Sequence, residues 1–184
     1  MALVERSDTE LLVEFRNPST KEQAFTSIIK KYQERLYWHI RRMVVEHEDA
    51  NDVLQNVFIR VWNGLMNFKE ESQLYTWLYR IATNESLTFL ENLKKRSAVS
   101  LSDVESGLEN KVKADKYFDP NKLEWKLQVA IQQLPEKQRL VFSLRYYDEL
   151  PYEEMSKVLD TSEGALKASY HHAVKKIEDY IKNH

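Results

Sequence analysis

The sequence predicts an all-α protein. Glycine and proline number only three and four in 184 residues, a composition that long helices tolerate and a many-turned β-sandwich does not. No β-branched run alternates strictly with polar residues, whereas apolar residues recur at intervals of three and four along most of the chain, the period of a helix with one buried face. That period fails over residues 97–122. The expected architecture is therefore two small helical domains, 1–96 and 123–184, joined by a flexible linker.

Ser7-Asp-Thr-Glu10 has the spacing of a capping box ahead of Leu11 and Leu12, so a first helix begins there. Asn17-Pro-Ser-Thr20 breaks it. A longer helix follows, with Phe25, Ile28, Ile29, Tyr32, Leu36 and Ile40 on its inner face. His47 to Asn51 reads as a polar turn. The next helix is expected from about Asp49 to Met66, with Val53, Val57, Val61 and Leu65 stacked four apart. A polar loop from Asn67 to Gln73 leads into an aromatic-rich helix that continues to about Lys95. These four helices are expected to share one core.

Residues 97–122 contain Ser97, Ser100, Ser102, Ser106, Gly107 and Pro120 among charges of both signs, the composition of a mobile tether. Beyond it, Leu134-Pro135-Glu136 marks a helix start, since proline in the first turn loses no hydrogen bond. Leu140, Val141 and Leu144 supply that helix's inner face. Pro151 opens a short helix, Tyr152 to Leu159, and Asp160-Thr-Ser162 turns the chain. Asp160 stands where a left-handed residue is needed, which aspartate tolerates better than most. Ser162 can cap the last helix, with Glu163 near its positive end. At 100° per residue, Leu166, Tyr170, Ala173, Ile177 and Ile181 fall in an inner sector. Gly164, Lys167, Ala168, His171 and Lys175 fall in another, roughly 140° away.

Several classes of function are excluded or disfavoured. There is no cysteine, hence no disulfide framework and no thiolate zinc site. The N-terminus has early acidic residues and no apolar segment of signal-peptide type. No apolar run reaches the length of a membrane span, so a soluble, cytoplasmic protein is expected. No nucleotide loop, nucleophile–base pairing or paired-histidine metal motif is present, so no enzyme and no cofactor are expected. His171 and His172 are adjacent on a helix and point in different directions, which does not suit a metal.

Two segments carry the function. Gln73-Leu-Tyr-Thr-Trp-Leu-Tyr-Arg-Ile-Ala-Thr-Asn84 is an aromatic helix with one formal charge, Arg80, and aromatic surfaces suit unpaired bases. The helix-turn-helix pattern ending in Gly164–Lys176 suits the major groove of duplex DNA. Its outer sector mixes small residues, which allow close approach, with donors for phosphates and base edges. The charge balance limits how such a protein can act. Residues 1–96 carry 14 basic and 14 acidic side chains, and residues 123–184 carry 9 and 10. Phosphate contacts supply much of the affinity of a self-sufficient DNA-binding domain, so this chain is expected to bind DNA well only beside a larger partner.

Over nearly its full length the chain resembles an extracytoplasmic-function sigma factor, the two-domain class of bacterial transcription initiation factor. Asp49-Ala-Asn-Asp-Val-Leu-Gln-Asn-Val-Phe58 resembles the family's polymerase-binding helix. Phe68 with Tyr75-Thr-Trp-Leu-Tyr-Arg-Ile-Ala-Thr-Asn84 resembles its −10 recognition and melting segment. Leu134-Pro-Glu-Lys-Gln-Arg-Leu-Val-Phe142, Tyr152-Glu-Glu154 and the helix from Ser162 resemble its −35-binding domain.

The resemblance implies core RNA polymerase as partner, through the β′ clamp helices and the β flap, together with promoter DNA. An anti-sigma factor is a further partner the family allows, and a monomer is expected when the chain is free. It implies Asp49, Asp52, Gln55 and Asn56 as polymerase-binding residues. It implies Phe68, Ser72, Tyr75, Arg80 and Asn84 as the −10 set: Tyr75 to stack on a base, Arg80 to hold a phosphate, Asn84 to read an edge or bridge the backbone. Trp77, Leu78 and Ile81 are assigned to the core. The −35 set is Ser162, Gly164, Lys167, Ala168, His171, His172 and Lys175. Here the chain departs from its relatives: Lys167-Ala-Ser-Tyr170 replaces the common Lys-Ser-Arg-hydrophobic run, and His171-His172 stands where an arginine is frequent. Fewer permanent charges then meet the duplex. The competing reading is a stand-alone helix-turn-helix regulator with residues 1–96 as a sensor or dimerisation domain.

Overall fold

The computed structural model describes residues 6–97 and 122–184, so the expected linker lies, except for its two end residues, outside the described residues. The described residues form eight α-helices and one short 3₁₀ turn, with no strand among them. In the first group α1 spans Asp8–Arg16, α2 Lys21–Val44, α3 His47–Gly64 and α4 Leu74–Ser97, with the 3₁₀ turn Leu65–Asn67 after α3. In the second, α5 spans Leu123–Gln132, α6 Glu136–Tyr146, α7 Tyr152–Leu159 and α8 Glu163–Asn183. The sequence pattern did not mark α5 as a separate helix.

Local chemistry accounts for the helix ends. Glu10 Oε2 accepts the Ser7 N–H at 2.7 Å and Ser7 Oγ accepts the Glu10 N–H at 3.3 Å, completing the capping box. The polar turn expected over His47–Asn51 is instead the first turn of α3, and the chain reverses one step earlier, at Val45–Glu46. Glu48 and Asp49 lie in that first turn, where negative charge is favourable. His47 is tied back to the Tyr37 hydroxyl at 2.7 Å. Val45 turns the corner with φ 69°, a rare conformation for a β-branched residue. Its side chain is buried against Val129 of α5, with Trp125 and Tyr180 alongside, and this packing offsets the strain.

α2, α3 and α4 pack on one another around Ile28, Leu36, Ile40, Val57, Val61, Leu65 and Leu78, and α1 closes the far side with Leu11 and Phe15. The same apolar cluster continues into the second group through Leu140, Val141, Leu144, Leu150, Met155, Val158 and Leu166. A smaller cluster of Ala130, Ile131, Leu134, Phe142, Ala173 and Ile177 holds α5, α6 and α8 together. The two groups of helices are thus in contact, with α7 lying along α4.

Polar groups are buried in the same seam. Asp148, in the loop between α6 and α7, inserts a side chain only 5% exposed between α2 and α4. Its Oδ2 lies 3.1 Å from His39 Nδ1, and its Oδ1 accepts from Arg42 at 2.5 Å and from the Tyr79 hydroxyl at 3.2 Å. His39 Nε2 is in turn 3.0 Å from Thr83 Oγ1. Burial acts to raise the Asp148 carboxyl, but the bonds from His39 and Arg42 outweigh it and hold the group below its ordinary value. Burial, with the Asp148 charge, pushes the Tyr79 phenol far up, so it remains a donor.

Stability should separate core from cap. Leu36, with no exposed surface, is expected to cost about 2–5 kcal/mol on replacement by alanine. Ser7→Ala, which removes the cap of α1, should cost only about 1 kcal/mol. Urea midpoints of the two variants measure the difference, and equal losses would contradict this account.

Candidate nucleic-acid and polymerase interfaces

α3 is divided cleanly between core and solvent. Val53, Val57 and Val61 bury one face, leaving Asp52, Gln55, Asn56 and Ile59 exposed in a stripe on the other, with Asp49 half-buried one turn before. The stripe groups one carboxylate, two amides and an aliphatic side chain. Ile59 is 59% exposed, and the sequence reading did not include it. Its signal was available: Ile59 falls outside the valine period and so has no place in the core. Arg60, its neighbour, pairs with Glu85 of α4 and braces the two helices.

The loop between α3 and α4 builds a pocket. A cavity of about 420 Å³ is lined by Asn67, Phe68, Lys69, Glu71, Ser72, Thr76, Trp77 and Arg80, with Lys157 and Asp160 from the end of α7. Arg16 of α1 holds the loop, donating to the Phe68 carbonyl at 3.3 Å and to Glu70 at 2.7 Å. Glu70 turns through φ 59°. Phe68 is 7% exposed and packs on Trp77 with ring centroids 5.1 Å apart, so it forms the floor of the pocket. Gly64 allows this arrangement: a Cβ there would lie 3.2 Å from Trp77 Cζ2.

Of the expected −10 residues, Phe68, Ser72 and Arg80 meet at this pocket, and Asn84 is exposed one turn beyond Arg80. Tyr75 does not line it. Its ring is half-buried and packed against the main core. Trp77, expected in the core, is half-buried and packs on it as Tyr75 does, and its indole also lines the pocket. Leu78 is fully buried and Ile81 half-buried. The position of the Trp77 indole depends on the absent side chain of Gly64, thirteen residues away.

The second candidate interface is the α7–turn–α8 unit. Asp160 adopts the expected left-handed conformation, φ 50° and ψ 47°. Ser162 Oγ accepts the Ala165 N–H at 3.4 Å. Leu166, Ala173 and Ile177 anchor α8, and Ser162, Gly164, Lys167, Ala168, His171, His172 and Lys175 are all exposed. Lys167 lies 5.5 Å from the Tyr152 ring centroid and 3.6 Å from Glu163. The rings of His171 and His172 are 6.0 Å apart and tilted. Among the described residues no group of three or more His, Asp or Glu is placed to hold a metal ion, and no helix is long and apolar enough to cross a membrane.

The described residues thus join a helical unit that carries a loop-and-aromatic pocket to a helix-turn-helix whose last helix has an exposed face. Sequence comparison identifies the class of protein that this arrangement belongs to. Residues 28–96 match Sigma-70 region 2, and residues 124–177 match Sigma-70, region 4. The chain is 32% identical over 155 residues to the RNA polymerase sigma-H factor of Pseudomonas aeruginosa, covering 80% of each chain. It is 29% identical over 185 residues to the ECF RNA polymerase sigma-E factor of Escherichia coli K12, covering 96% of each.

Its fold is shared with CnrH, solved in complex with the cytosolic domain of CnrY (TM-score 0.70, 18% identity, 96% of this chain and 97% of that one). It is also shared with the sigma factor RpoE of Bartonella quintana, solved with the anti-sigma factor NepR (TM-score 0.64, 18% identity, 86% and 96%). The chain belongs to the sigma-70 family, in its extracytoplasmic-function class. It is an alternative sigma factor that initiates transcription from specific promoters. Sigma factors are non-catalytic initiation factors, and the stand-alone regulator gives way to this reading.

Gly164 offers a direct test of the recognition helix. A Cβ there would meet nothing within 4 Å, so the fold does not require glycine. Gly164→Ala should leave the thermal midpoint unchanged or raise stability by up to about 1 kcal/mol, while weakening −35 protection in a holoenzyme footprint because the backbone can no longer approach the duplex as closely. Unchanged protection would remove Gly164 from the interface.

Proposed function

We propose that residues 1–96 act as sigma region 2 and residues 123–184 as sigma region 4, with residues 97–122 tethering them. In this reading the α3 stripe of Asp52, Gln55 and Asn56, extended by Ile59 and by Asp49 at its start, docks on the β′ clamp helices of core RNA polymerase. The pocket of Phe68, Ser72 and Arg80, walled by Trp77, captures a base flipped from the non-template strand, and Asn84 and the exposed edge of Tyr75 guide the strand beside it. Opening a base step costs a few kcal/mol, which capture and polymerase contacts together offset. α8 enters the major groove at the −35 element with Ser162, Gly164, Lys167, Ala168, His171, His172 and Lys175, while the second group of helices meets the β flap.

The observation that carries this reading is the pocket, which places an aromatic wall, a hydroxyl and one exposed guanidinium at the start of the region 2 helix. The near-neutral charge of −2 supports dependence on polymerase, since phosphate contacts alone would be weak. Phosphodiester chemistry belongs to the polymerase, and the chain itself is no enzyme. It works in the cytoplasm, as a monomer when free. CnrH and RpoE were solved with the cytosolic domain of CnrY and with the anti-sigma factor NepR, and we infer that an anti-sigma factor also restrains this chain.

Gel filtration with sigma-free core polymerase tests the α3 assignment. Wild type should co-elute stoichiometrically and Asp52→Arg should not, although its stability stays within about 0.5 kcal/mol of wild type because the residue is exposed. Normal co-elution of the folded variant would refute the assignment. A second variant separates binding from melting. Arg80→Ala should keep polymerase affinity but reduce permanganate reactivity of promoter thymines about tenfold or more, the loss expected for one charge-assisted contact. Reactivity equal to wild type would exclude Arg80 from strand capture.

A further inference from the structure

None of the residues assigned above to DNA or to polymerase lies on α1, yet α1 reaches the pocket. Leu11, Leu12 and Phe15 bury its inner face, and Phe15 meets the Trp62 ring of α3 edge-on with centroids 5.5 Å apart. Lys21 lies 4.5 Å from the centroid of that same indole. The Thr20 hydroxyl donates to the Glu14 carbonyl at 2.7 Å and closes the end of the helix. Arg16 therefore stands in the last turn of a fixed helix, where a cation is favoured. From this base its Nη2 donates twice, to the Phe68 carbonyl at 3.3 Å and to Glu70 Oε1 at 2.7 Å. Residues 68–73 belong to no helix, and both bonds fall on them.

Glu70 is both the bonded residue and the strained one. Its φ of 59° is a left-handed conformation that favours glycine, and it stands between Phe68, the floor of the pocket, and Ser72, which lines it. Strain of this kind persists where the surroundings over-determine it, and it gathers at ligand clamps. The Arg16 and Glu70 side chains are 41% and 43% exposed, and ion pairs so exposed add little to global stability. The pair is thus poorly placed to hold the fold together and well placed to fix one loop. Phe68 is anchored through its ring on Trp77, and Arg16 ties down the backbone and side chain on the other side.

We propose that Arg16 is a positioning residue for −10 reading: by holding the Phe68 carbonyl and Glu70 it sets the loop over residues 68–72 so that the pocket admits one base of the non-template strand in preference to the others. The proposal rests on the assignment of the pocket to base capture given above. The pocket holds groups of two kinds. The Trp77 indole and the Arg80 guanidinium can engage any nucleotide, since every base offers a face and every nucleotide a phosphate. Telling one base from another requires hydrogen bonds to its edge. The groups available for these are the Asn67 amide, the Ser72 hydroxyl and the loop backbone, all on or beside the segment that Arg16 holds. Such groups discriminate only when they are fixed to within about half an ångström. Loss of Arg16 therefore costs selectivity, while capture and polymerase binding stay largely intact.

Holoenzymes assembled from core polymerase and each variant can be given a promoter library randomised over the −35 and −10 elements, and the bound sequences counted. Wild type should show a −10 position with a marked base preference, which Ser72→Ala reduces. At that position Arg16→Ala should lower the ratio of the preferred to the next base about threefold to tenfold, the weight of one exposed, charge-assisted tie. Its −35 preferences, co-elution with core polymerase and helical circular dichroism should match wild type. Glu70→Ala should lower the same ratio, and the double variant should lose no more than Arg16→Ala alone, because the two act through one contact. Arg16→Lys, which keeps a donor, should restore most of the ratio. An unchanged ratio in Arg16→Ala overturns the proposal, and so does an equal loss at −35 and −10 positions, the mark of general destabilisation. Tighter binding of Glu70→Ala to every −10 sequence, as a freed guanidinium on the strand would give, overturns it too. Ser72→Ala without effect at any −10 position overturns the pocket assignment, and the proposal with it. The two failures are told apart because Ser72→Ala is read with Arg16 in place.

Discussion

The helix Leu74–Ser97 has to serve three surroundings at once, and the rest of the structure follows from how it does so. Leu74, Leu78 and Ala82 are buried on the core side. Thr76 and Tyr79 bond carboxylates of the second group, and Arg80 with Asn84 stays exposed. A period of 3.6 residues permits such a division, but it leaves no face that is simply solvated. Every element near this helix is arranged around one of the three sectors: α2 and α3 pack on the first, α7 and the Asp148 loop on the second, and the loop after α3 builds its pocket beside the third.

The same division explains the electrostatics. A chain that must bind nucleic acid carries equal numbers of basic and acidic side chains in its first 96 residues. Some of those basic groups have intramolecular acidic partners: Arg42 with Asp148, Lys94 with Glu136, Arg60 with Glu85. Glu154 belongs to the same pattern, since burial would raise its carboxyl but the bonds from Thr76 and Lys157 outweigh burial and hold it down. Acidic side chains thus occupy basic groups of α2, α3 and α4.

Three parts of the candidate site differed in how legible they were. The α3 stripe was readable because the valine period leaves only one orientation for Asp52, Gln55 and Asn56. The α7–α8 turn was readable because its signals, Asp160 and Ser162, act on their own backbone. The pocket was only half readable. Phe68, Ser72 and Arg80 are close in sequence and line one pocket, but Tyr75 lies outside it, whereas Trp77 lines it while also packing on the core. Both are aromatic, and both sit where periodicity alone allows core or surface.

By itself the sequence determined the described helices other than α5, the Ser7 and Ser162 caps, most of the buried stripes and the family to which the chain belongs, since these depend on spacing over a few residues and on short motifs. Tertiary structure decided what lies between the elements. It placed α3's start at His47 through a strained Val45 that only packing on α5 can hold, and it set the Trp77 indole against Gly64. It also buried a row of threonine and tyrosine hydroxyls that periodicity would assign to water. A hydroxyl, an imidazole and a carboxylate can each be satisfied by solvent as well as by one another, so the choice between them depends on which distant groups the fold brings within hydrogen-bond reach.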